Sequence, residues 1–424
     1  MRIGLAGLGT VGATLAARLV GGSVDGVRLT HISARDKTRD RGFATDGLVW
    51  LDTPQALAAE ADVDMVVELI GGADGAALEL VEAALSAGKH VVTANKAMLA
   101  AHGVKLAGLA EQHGVSLAYE AAIAGGIPIV KTIREGLQGN QISKVSGILN
   151  GTCNYILTEM EEKKVGYAET LKEAQALGYA EADPTFDVEG VDAAQKLALL
   201  CGLAFGVEPD FDAIQLTGIT GITGQDFDFA AGFNAVIRLV GLAEKSTAEK
   251  NDSATGIVQW VGPALVRQDR PLASIKGVTN AVQVDADMVG QIMMQGPGAG
   301  GGATASAVLA DIIDIAQGRH IAVFGRPVAT LTPSAGPSPM APCEWYLRLS
   351  LVDAPGSMAK ATSILAEHGV SIEEAVQRGP ENSDSLRPVV FITHQSDLAT
   401  IEKALSALQA VDVIAGELNF MPVL

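Results

Sequence analysis

The 424-residue sequence predicts an α/β protein that begins with a doubly wound parallel sheet and ends with a small α+β module. Three observations support this prediction. Short apolar strands alternate with Ala-rich helical stretches up to Ile133, and beyond it the alternation stops. A Pro-rich segment then separates a βαββαβ series from the rest of the chain. The length also exceeds that of one ordinary domain, so we expect several domains.

The first predicted domain covers residues 1–133, with strands at 3–6, 28–33, 65–70, 90–93 and 116–119. The segment GLGTVG joins the first strand to a helix-like stretch. Its glycines permit a tight turn, close approach of the backbone to a pyrophosphate, and close helix packing, and the helix N-terminus supplies free N–H donors. The segment predicts dinucleotide binding, with a purely structural glycine turn as the alternative. The residues concerned are Gly7, Gly9, Thr10, Val11 and Gly12.

The turn after the second strand bears on the choice between NAD and NADP. An acidic residue at the strand end would bind the ribose 2′-hydroxyl of NAD, but here the segment reads HISARDK. Ser33, Arg35 and Lys37 are suited to accept a 2′-phosphate. Asp36 and the alternative of a solvated basic turn leave NAD open, and the prediction favours NADP.

Lys96 follows the predicted strand at residues 90–93. Open α/β sheets bind ligands at the carboxyl ends of their strands. Lys96 is therefore a candidate for proton transfer or for orienting a substrate, and an ordinary surface charge is the alternative.

Asp192 and Lys196 lie four residues apart in an Ala- and Leu-rich helical segment, and therefore on one helix face. They form either a surface ion pair or a charged site facing a cleft. Further carboxylates precede them at Glu181, Asp183, Asp187 and Glu189. This group of carboxylates would suit a substrate that bears an ammonium group. The alternative is a solvated acidic loop.

Cys153 lies between a predicted strand and a helix, where a helix N-terminus would stabilise a thiolate. It is the candidate nucleophile of a different enzyme class, an aldehyde dehydrogenase that forms a thioacyl intermediate. A buried structural cysteine is the alternative. The seven histidines form no cluster in the sequence, so no histidine metal site is predicted.

Charge and cysteine usage exclude several functions. Lys and Arg number 30 against 49 Asp and Glu, and the net charge of −19 argues against nucleic acid or an anionic membrane as a partner. The three cysteines are far apart in the sequence, so neither a disulfide framework nor a zinc site is indicated. The sequence starts directly with the first strand and contains no apolar run of about 18 residues, so we expect a cytoplasmic protein without a membrane span.

The remaining chain is predicted to form a second domain at residues 134–295, a linker at 331–342 and a C-terminal βαββαβ module at 343–424. A second glycine run, GPGAGGG, precedes a helical segment near residue 302, which offers another helix N-terminus to an anionic ligand.

Six segments, in this order, resemble homoserine dehydrogenases: GLGTVG, VVTANKAML, YEAAIAGGIPIV, SGILNGTCNYIL, LGYAEADPTFDVEGVDAAQKL and GAGGGATASAVLADI. The segment DAPGSMAKATSILAEHGVSIEEAVQ resembles the start of an ACT domain, an amino-acid-sensing module with a ferredoxin-like fold. The resemblance implies a Rossmann-type first domain, an α+β catalytic and dimerisation domain, and NAD(P)-dependent interconversion of L-homoserine and L-aspartate 4-semialdehyde. It also implies regulation by an amino acid, threonine, and a homo-oligomer, either dimer or tetramer.

The resemblance assigns roles to individual residues. Lys96 and Lys196 match the catalytic pair, and Glu181 and Asp192 match the acidic substrate-binding positions beside the turn at Gly151 and Thr152. The implied further cofactor contacts are Thr93, Lys96, Gly300 and Thr304, which would return residues 296–330 to the first domain. A monovalent cation, sodium, is implied at Glu120, Ile123 and Gly125. A non-catalytic amino-acid sensor is the alternative from another class, and the presence of both lysines argues against it.

Overall fold

The computed structural model describes residues 1–22, 24–246, 256–377, 386–416 and 418–424. Within these residues the chain forms three sheets: six parallel strands, six mixed strands and four antiparallel strands. This confirms the predicted α/β architecture. None of the helices in the described ranges has the length and apolar character needed to cross a membrane.

The first sheet has the strand order β3-β2-β1-β4-β5-β6, and all of its pairs are parallel. The strands are β1 (Arg2–Ala6), β2 (Arg28–Ser33), β3 (Val49–Leu51), β4 (Met65–Glu68), β5 (His90–Thr93) and β6 (Leu117–Ala118). The helices are α1 (Thr10–Val20), α2 (Ala56–Ala59), α3 (Ala76–Ser86) and α4 (Lys96–His113). The order reverses between β1 and β4, the point where doubly wound sheets bind their ligands.

Five of these six strands are predicted from their apolar runs, because parallel strands are covered on both faces. The sequence prediction misses β3, a three-residue edge strand whose side chains are only partly buried. It also extends β4 to residue 70, whereas the strand ends at Glu68. Gly71 and Gly72 both have left-handed backbone angles there, which turn the chain away from the sheet.

The second sheet has the order β12-β11-β7-β9-β10-β8, and only the β8–β10 pair is parallel. Its strands are β7 (Ile142–Ile148), β8 (Gln215–Leu216), β9 (Ala235–Lys245), β10 (Ile257–Arg267), β11 (Thr279–Ala286) and β12 (Gly290–Pro297). The helices of this region are α5 (Ile129–Lys131), α6 (Gly151–Lys163), α7 (Tyr167–Ala176), α8 (Thr185–Val188), α9 (Val191–Phe205) and α10 (Gly224–Gly232). Short 3₁₀ turns at Glu120–Ala122, Pro271–Ser274 and Val328–Thr330 and a π-turn at Thr132–Gly136 complete the connections.

Helix α11 (Gly301–Ala316) follows β12 and packs on the first sheet rather than the second. Its buried Val308, Ile312 and Ile315 join a core with Ile3 and Leu15. The chain therefore returns to the first sheet after the second one is complete.

The C-terminal strands and helices are β13 (Trp345–Val352), α12 (Ser357–Glu367), β14 (Ile372–Gln377), β15 (Leu386–Thr393), α13 (Leu398–Gln409) and β16 (Asn419–Pro422). The sheet is antiparallel with the order β14-β15-β13-β16, which confirms the predicted βαββαβ series. It shares a hydrophobic core with the second sheet. The contact is also polar, because the buried Asp226 of α10 accepts hydrogen bonds from Tyr346 at 2.8 Å and Arg348 at 2.7 Å.

Candidate active site

The glycine turn GLGTVG lies at the carboxyl end of β1 and has the geometry that a pyrophosphate requires. Gly7 has a φ of +92°, and a Cβ there would collide with the Leu69 carbonyl. A Cβ on Gly12 would collide with the Gly7 carbonyl, whereas one on Gly9 would meet open space. Gly9 is also the N-cap of α1 and offers no side-chain cap, so the helix N–H groups stay available to an anion.

A second helix N-terminus approaches the same turn. Gly300, with a φ of +109°, precedes α11, and this helix also lacks a side-chain cap. A Cβ on Gly301 would lie 3.0 Å from Thr10 Cγ2, so α11 and α1 are in close contact at their first turns. Thr304 donates its backbone N–H to the Gly300 carbonyl at 3.0 Å within this first turn. Two helix dipoles therefore favour negative charge at one edge of the sheet.

The turn after β2 contains the exposed Arg35 and a lysine, Lys37, that is already paired. Lys37 bonds Asp52 at 2.5 Å, and Arg35 has no hydrogen-bond or ion-pair partner within the described ranges. Sequence reasoning missed Arg41, which donates to the Leu8 carbonyl at 3.2 Å and stacks 5.8 Å from the Trp50 ring centre. No motif identifies this arginine, because its position depends on the folded loop.

Asp192 is the centre of the charged cluster. Its two carboxylate oxygens bind different lysines, Lys96 at 3.1 Å and Lys196 at 2.7 Å. Lys96 is the first residue of α4 beside the parallel sheet, while Asp192 and Lys196 belong to α9 beside the mixed sheet. Lys196 also donates to the Leu149 carbonyl at 2.7 Å. The cluster therefore joins residues nearly one hundred positions apart in the sequence, at the junction of the two sheets.

The electrostatics of Asp192 follow from this arrangement. Burial by itself would raise the pKa of Asp192, but the charges of Lys196 and Lys96 and hydrogen bonds from Lys196 and Asn150 together lower it to about 2. The carboxylate therefore stays ionised across the physiological range and fixes both ammonium groups.

Asn150 connects the cluster to the turn at the start of α6. Its side-chain amide donates to Asp192 at 2.8 Å and to Asp187 at 2.7 Å, while its oxygen caps α6 by accepting the Cys153 N–H at 2.8 Å. Gly151 has no room for a side chain, because a Cβ would approach the Val278 carbonyl at 2.8 Å.

Thr152 and Glu181 lie at the edge of this turn. Thr152 donates to the Tyr179 carbonyl at 2.7 Å, which holds the acidic loop against the start of α6. Glu181 is exposed, and its carboxylate has no bonded partner in the part of the chain described. The structure thus brings Lys96, Lys196 and Asp192 together but leaves the Glu181 carboxylate outside their contacts.

Cys153 has the environment of a structural cysteine. It is fully buried, and its thiol donates to the Asp187 carbonyl at 3.1 Å. Burial raises the pKa of the Cys153 thiol, and the carboxylates of Asp187, Asp192 and Glu189 raise it further. The helix terminus does not yield a thiolate here, which argues against the thioacyl chemistry considered from the sequence.

Glu120, Ile123 and Gly125 lie on one turn that packs against the segment leading to α11. The buried Glu120 carboxylate accepts the Val130 N–H at 2.8 Å and the Lys131 N–H at 2.9 Å. Burial nevertheless raises the pKa of Glu120 to about 7, against the lowering effect of these hydrogen bonds. Gly125 has a left-handed φ of +57° and contacts the Gly298 carbonyl so closely that no side chain fits. This turn thus holds a buried carboxylate whose two oxygens each accept a backbone N–H group.

Comparisons with known proteins agree with this geometry. Residues 7–120 match the family model for the homoserine dehydrogenase NAD binding domain, residues 128–313 match the homoserine dehydrogenase model, and residues 345–410 match the ACT domain model. A homoserine dehydrogenase of Neisseria gonorrhoeae is 40% identical over 430 residues, covering 98% of this chain and 96% of the relative.

Two solved structures are similar along most or all of the chain. The crystal structure of a homoserine dehydrogenase from Thiobacillus denitrificans covers 100% of this chain and 98% of its own, at 36% identity and a TM-score of 0.90. A hyperthermophilic archaeal homoserine dehydrogenase in complex with NADPH covers 74% of this chain and 96% of its own, at 28% identity and a TM-score of 0.62.

The parallel sheet with its glycine turn, the C-terminal sheet and the matching family models identify an NAD(P)-dependent oxidoreductase that carries an ACT domain. The implied substrate is homoserine. The chain belongs to the homoserine dehydrogenase family.

Proposed function

We propose that Lys96 and Lys196 are the proton-transfer and substrate-orienting groups for the interconversion of L-homoserine and L-aspartate 4-semialdehyde. The observation that carries this proposal is that one carboxylate, Asp192, binds both lysines from two separate helices. In the reducing direction a lysine ammonium donates a proton to the aldehyde oxygen, and in the oxidising direction the neutral lysine amine accepts the hydroxyl proton. The bound nicotinamide supplies or accepts the hydride.

Substrate binding on this proposal rearranges the cluster, in which each oxygen of Asp192 already bonds a lysine. Lys96 is the lysine that moves: its side chain is 27% exposed against 10% for Lys196, and Lys196 is also held by the Leu149 carbonyl. Asp192 and Glu181 then bind the substrate ammonium, and the turn at Gly151 and Thr152 forms the opposite wall.

The test of the catalytic roles is turnover of Lys96→Ala and Lys196→Ala. Each variant should lose at least about a hundredfold in kcat, the usual scale for a positioned proton-transfer group. Lys105→Ala is the matched control, since Lys105 lies on the same helix as Lys96 but pairs with the surface residue Glu82. Near-normal turnover in a folded Lys96 or Lys196 variant would remove that lysine from the mechanism.

For the cofactor, NADP is our proposed preference over NAD. Arg35 supports it as an exposed arginine without a partner in the described ranges, near the end of β2. Replacing it by Asp should lower kcat/KM for NADP relative to NAD, because a carboxylate repels the 2′-phosphate. Arg39→Asp, on the same exposed loop, is the matched control. An unchanged ratio of the two kcat/KM values would show that Arg35 does not contact the 2′-phosphate, and the proposed preference would lose its support.

We also propose a sodium ion at the turn of Glu120, Ile123 and Gly125. The raised pKa of the buried Glu120 supports it, because a bound cation would compensate that carboxylate. Sodium chloride should raise the thermal midpoint above that in choline chloride at equal ionic strength. Glu120→Gln should reduce this difference, and equal midpoints in both salts would argue against the site.

The ACT domain is proposed to bind threonine and to lower activity. The turn before α12 supports this. Its N-cap is Gly356, with a φ of +94°, which provides no side-chain cap, so an effector carboxylate could accept hydrogen bonds from the first N–H groups of the helix. The intact chain is the appropriate sample, because truncation would leave the buried Asp226 without Arg348. Calorimetry should detect L-threonine but not D-threonine, with inhibition of several-fold for a coupling of about 1 to 3 kcal/mol. Absence of both heat and inhibition would refute the regulatory role.

Our proposed domain limits are 1–133 with 296–330, then 134–295, a linker at 331–342, and 343–424. Apart from the linker, each unit holds one of the three sheets, which supports the division, although β12 extends to Pro297, two residues past the limit at 295. A cytoplasmic homo-oligomer remains our expectation, and the edge strand β12 with the exposed Met288 and Val289 at its start supports the oligomer. Sedimentation velocity tests it.

A further inference from the structure

Glu68 is a fully buried carboxylate at the carboxyl end of β4, and its partners are hydrogen-bond donors rather than cations. One oxygen accepts the backbone N–H groups of Ile70 at 2.6 Å and Gly71 at 3.0 Å. The other accepts the hydroxyl of Thr93 at 2.5 Å. A buried carboxylate without an opposing charge is expensive to maintain, so its hydrogen bonds must be complete. An apolar residue would fill this strand position at lower cost, as at the buried Val66 and Val67.

The Thr93 hydroxyl connects Glu68 to the start of α4 by hydrogen bonds. The Thr93 hydroxyl donates its proton to Glu68, and its oxygen accepts the Asn95 N–H at 3.0 Å. Asn95 in turn caps α4 by accepting the Met98 N–H at 3.1 Å. Lys96, the first residue of that helix, therefore has its backbone fixed through Thr93 and Asn95.

The same carboxylate fixes the loop that supports the glycine turn. The N–H groups of Ile70 and Gly71 belong to residues 69–72, and the Leu69 carbonyl is the atom that a Cβ on Gly7 would strike. Asn95 closes the connection by donating to the Gly72 carbonyl at 2.7 Å. Glu68 is thus hydrogen-bonded to the loop that packs against the glycine turn and to the Thr93 hydroxyl, which leads to the start of α4.

We propose that Glu68 is a positioning residue that sets the separation between the glycine turn and Lys96, acting through Thr93 on one side and through residues 69–72 on the other. For Lys96 this inference rests on the proposed function. For the glycine turn the inference does not rest on the proposed function, because moving this turn changes the affinity for the cofactor whatever Lys96 does. A misplacement of about 1 Å at a reacting group lowers rate by up to about a hundredfold.

The experiment compares Glu68→Gln, Thr93→Val, Thr93→Ser and the double variant Glu68→Gln/Thr93→Val. Glutamine has nearly the same shape but one acceptor oxygen, so it cannot accept from both loops. We expect Glu68→Gln to lower kcat by about tenfold or more and to weaken NADPH binding, measured by fluorescence titration of the free enzyme. Glu79→Gln, an exposed glutamate on α3, is the matched control.

Coupling between the two residues distinguishes positioning from a general loss of stability. The double variant should lose no more activity than the worse single variant, and Thr93→Ser should recover turnover relative to Thr93→Val because its hydroxyl restores the bond. If Glu68→Gln fails to fold, the Thr93 pair carries the test. Additive losses, no serine recovery, or unchanged kcat and NADPH affinity in folded Glu68→Gln would overturn the inference. If Lys96→Ala had normal turnover while Glu68→Gln bound NADPH more weakly, only the proposed catalytic role of Lys96 would be rejected. The positioning of the glycine turn by Glu68 would stand.

Discussion

Asp192→Asn perturbs the centre of the charged cluster without changing the size of the side chain. The variant still accepts one hydrogen bond, but it removes the charge that neutralises two lysines, Lys96 at 3.1 Å and Lys196 at 2.7 Å. We expect it to destabilise the folded protein as well as impair turnover, because both ammonium groups lose their counter-charge.

The magnitude follows from burial and from the pKa of Asp192. Removing one partner of a buried ion pair costs about 3 to 5 kcal/mol, but Lys96 is 27% exposed and can turn to water, which reduces the loss. The pKa of Asp192, lowered from its ordinary 3.8 to about 2 against the effect of burial, corresponds to about 2 kcal/mol of folding stability. Both considerations give a destabilisation of about 2 to 3 kcal/mol near neutral pH.

The assay is urea unfolding of the wild type and Asp192→Asn across pH. The pKa is lower in the folded state, so the stabilisation by the Asp192 charge is fully present above the unfolded pKa of 3.8 and is lost as the pH falls towards about 2. The difference in unfolding free energy should therefore be constant from neutral pH down to about pH 5 and narrow below about pH 4.

Glu181→Gln provides the control, because Glu181 is an exposed carboxylate in the same acidic region, without a bonded partner in the described ranges. Its unfolding free energy should match that of the wild type at every pH. If Asp192→Asn were as stable as the wild type at neutral pH, or if the difference persisted undiminished at acid pH, the electrostatic reasoning about the cluster would be refuted.

Three further predictions concern other parts of the molecule. Cys153→Ala should retain turnover, because the raised thiol pKa and full burial exclude a nucleophilic role; loss of turnover in a folded variant would revive it. Asp226→Asn should lower the thermal midpoint by several degrees, since it leaves Arg348 without its buried partner, and an unchanged melting curve would contradict this. Gly9→Ala should fold normally but bind NADPH more weakly in fluorescence titration. Gly12→Ala should also unfold more easily, because its Cβ collides with the Gly7 carbonyl. Equal stability of the two variants would refute the different roles given to these glycines.

Features that depend on neighbouring residues were predictable from the sequence, whereas contacts between distant residues were not. The parallel strands were predictable because strands covered on both faces are continuous apolar runs, as in the fully buried β4. The glycine turn was predictable because Gly7 and Gly12 satisfy local backbone requirements that other residues cannot. Each of these signals lies within a few neighbouring positions.

For the charged cluster the sequence offered less. The i, i+4 spacing established that Asp192 and Lys196 share a helix face, but it left open whether that face is solvated or lines a cleft. Only the packing of α4 against α9 brings Lys96 to the other oxygen of Asp192. The same holds for Glu68, which in the sequence is one polar residue within a predicted apolar strand, and only the fold brings the Thr93 hydroxyl to it.

The sequence by itself thus determined the sheet class, the glycine turn, the C-terminal βαββαβ series and the positions of the candidate lysines, because periodicity and backbone restrictions act over short stretches of chain. The tertiary structure decided that Lys96, Asp192 and Lys196 form one cluster, that Cys153 is buried, and that Glu68 bonds both the loop after β4 and the Thr93 hydroxyl. The physical reason is that hydrogen bonds, ion pairs and desolvation depend on distances between side chains far apart in sequence, and those distances exist only once the helices and sheets have packed.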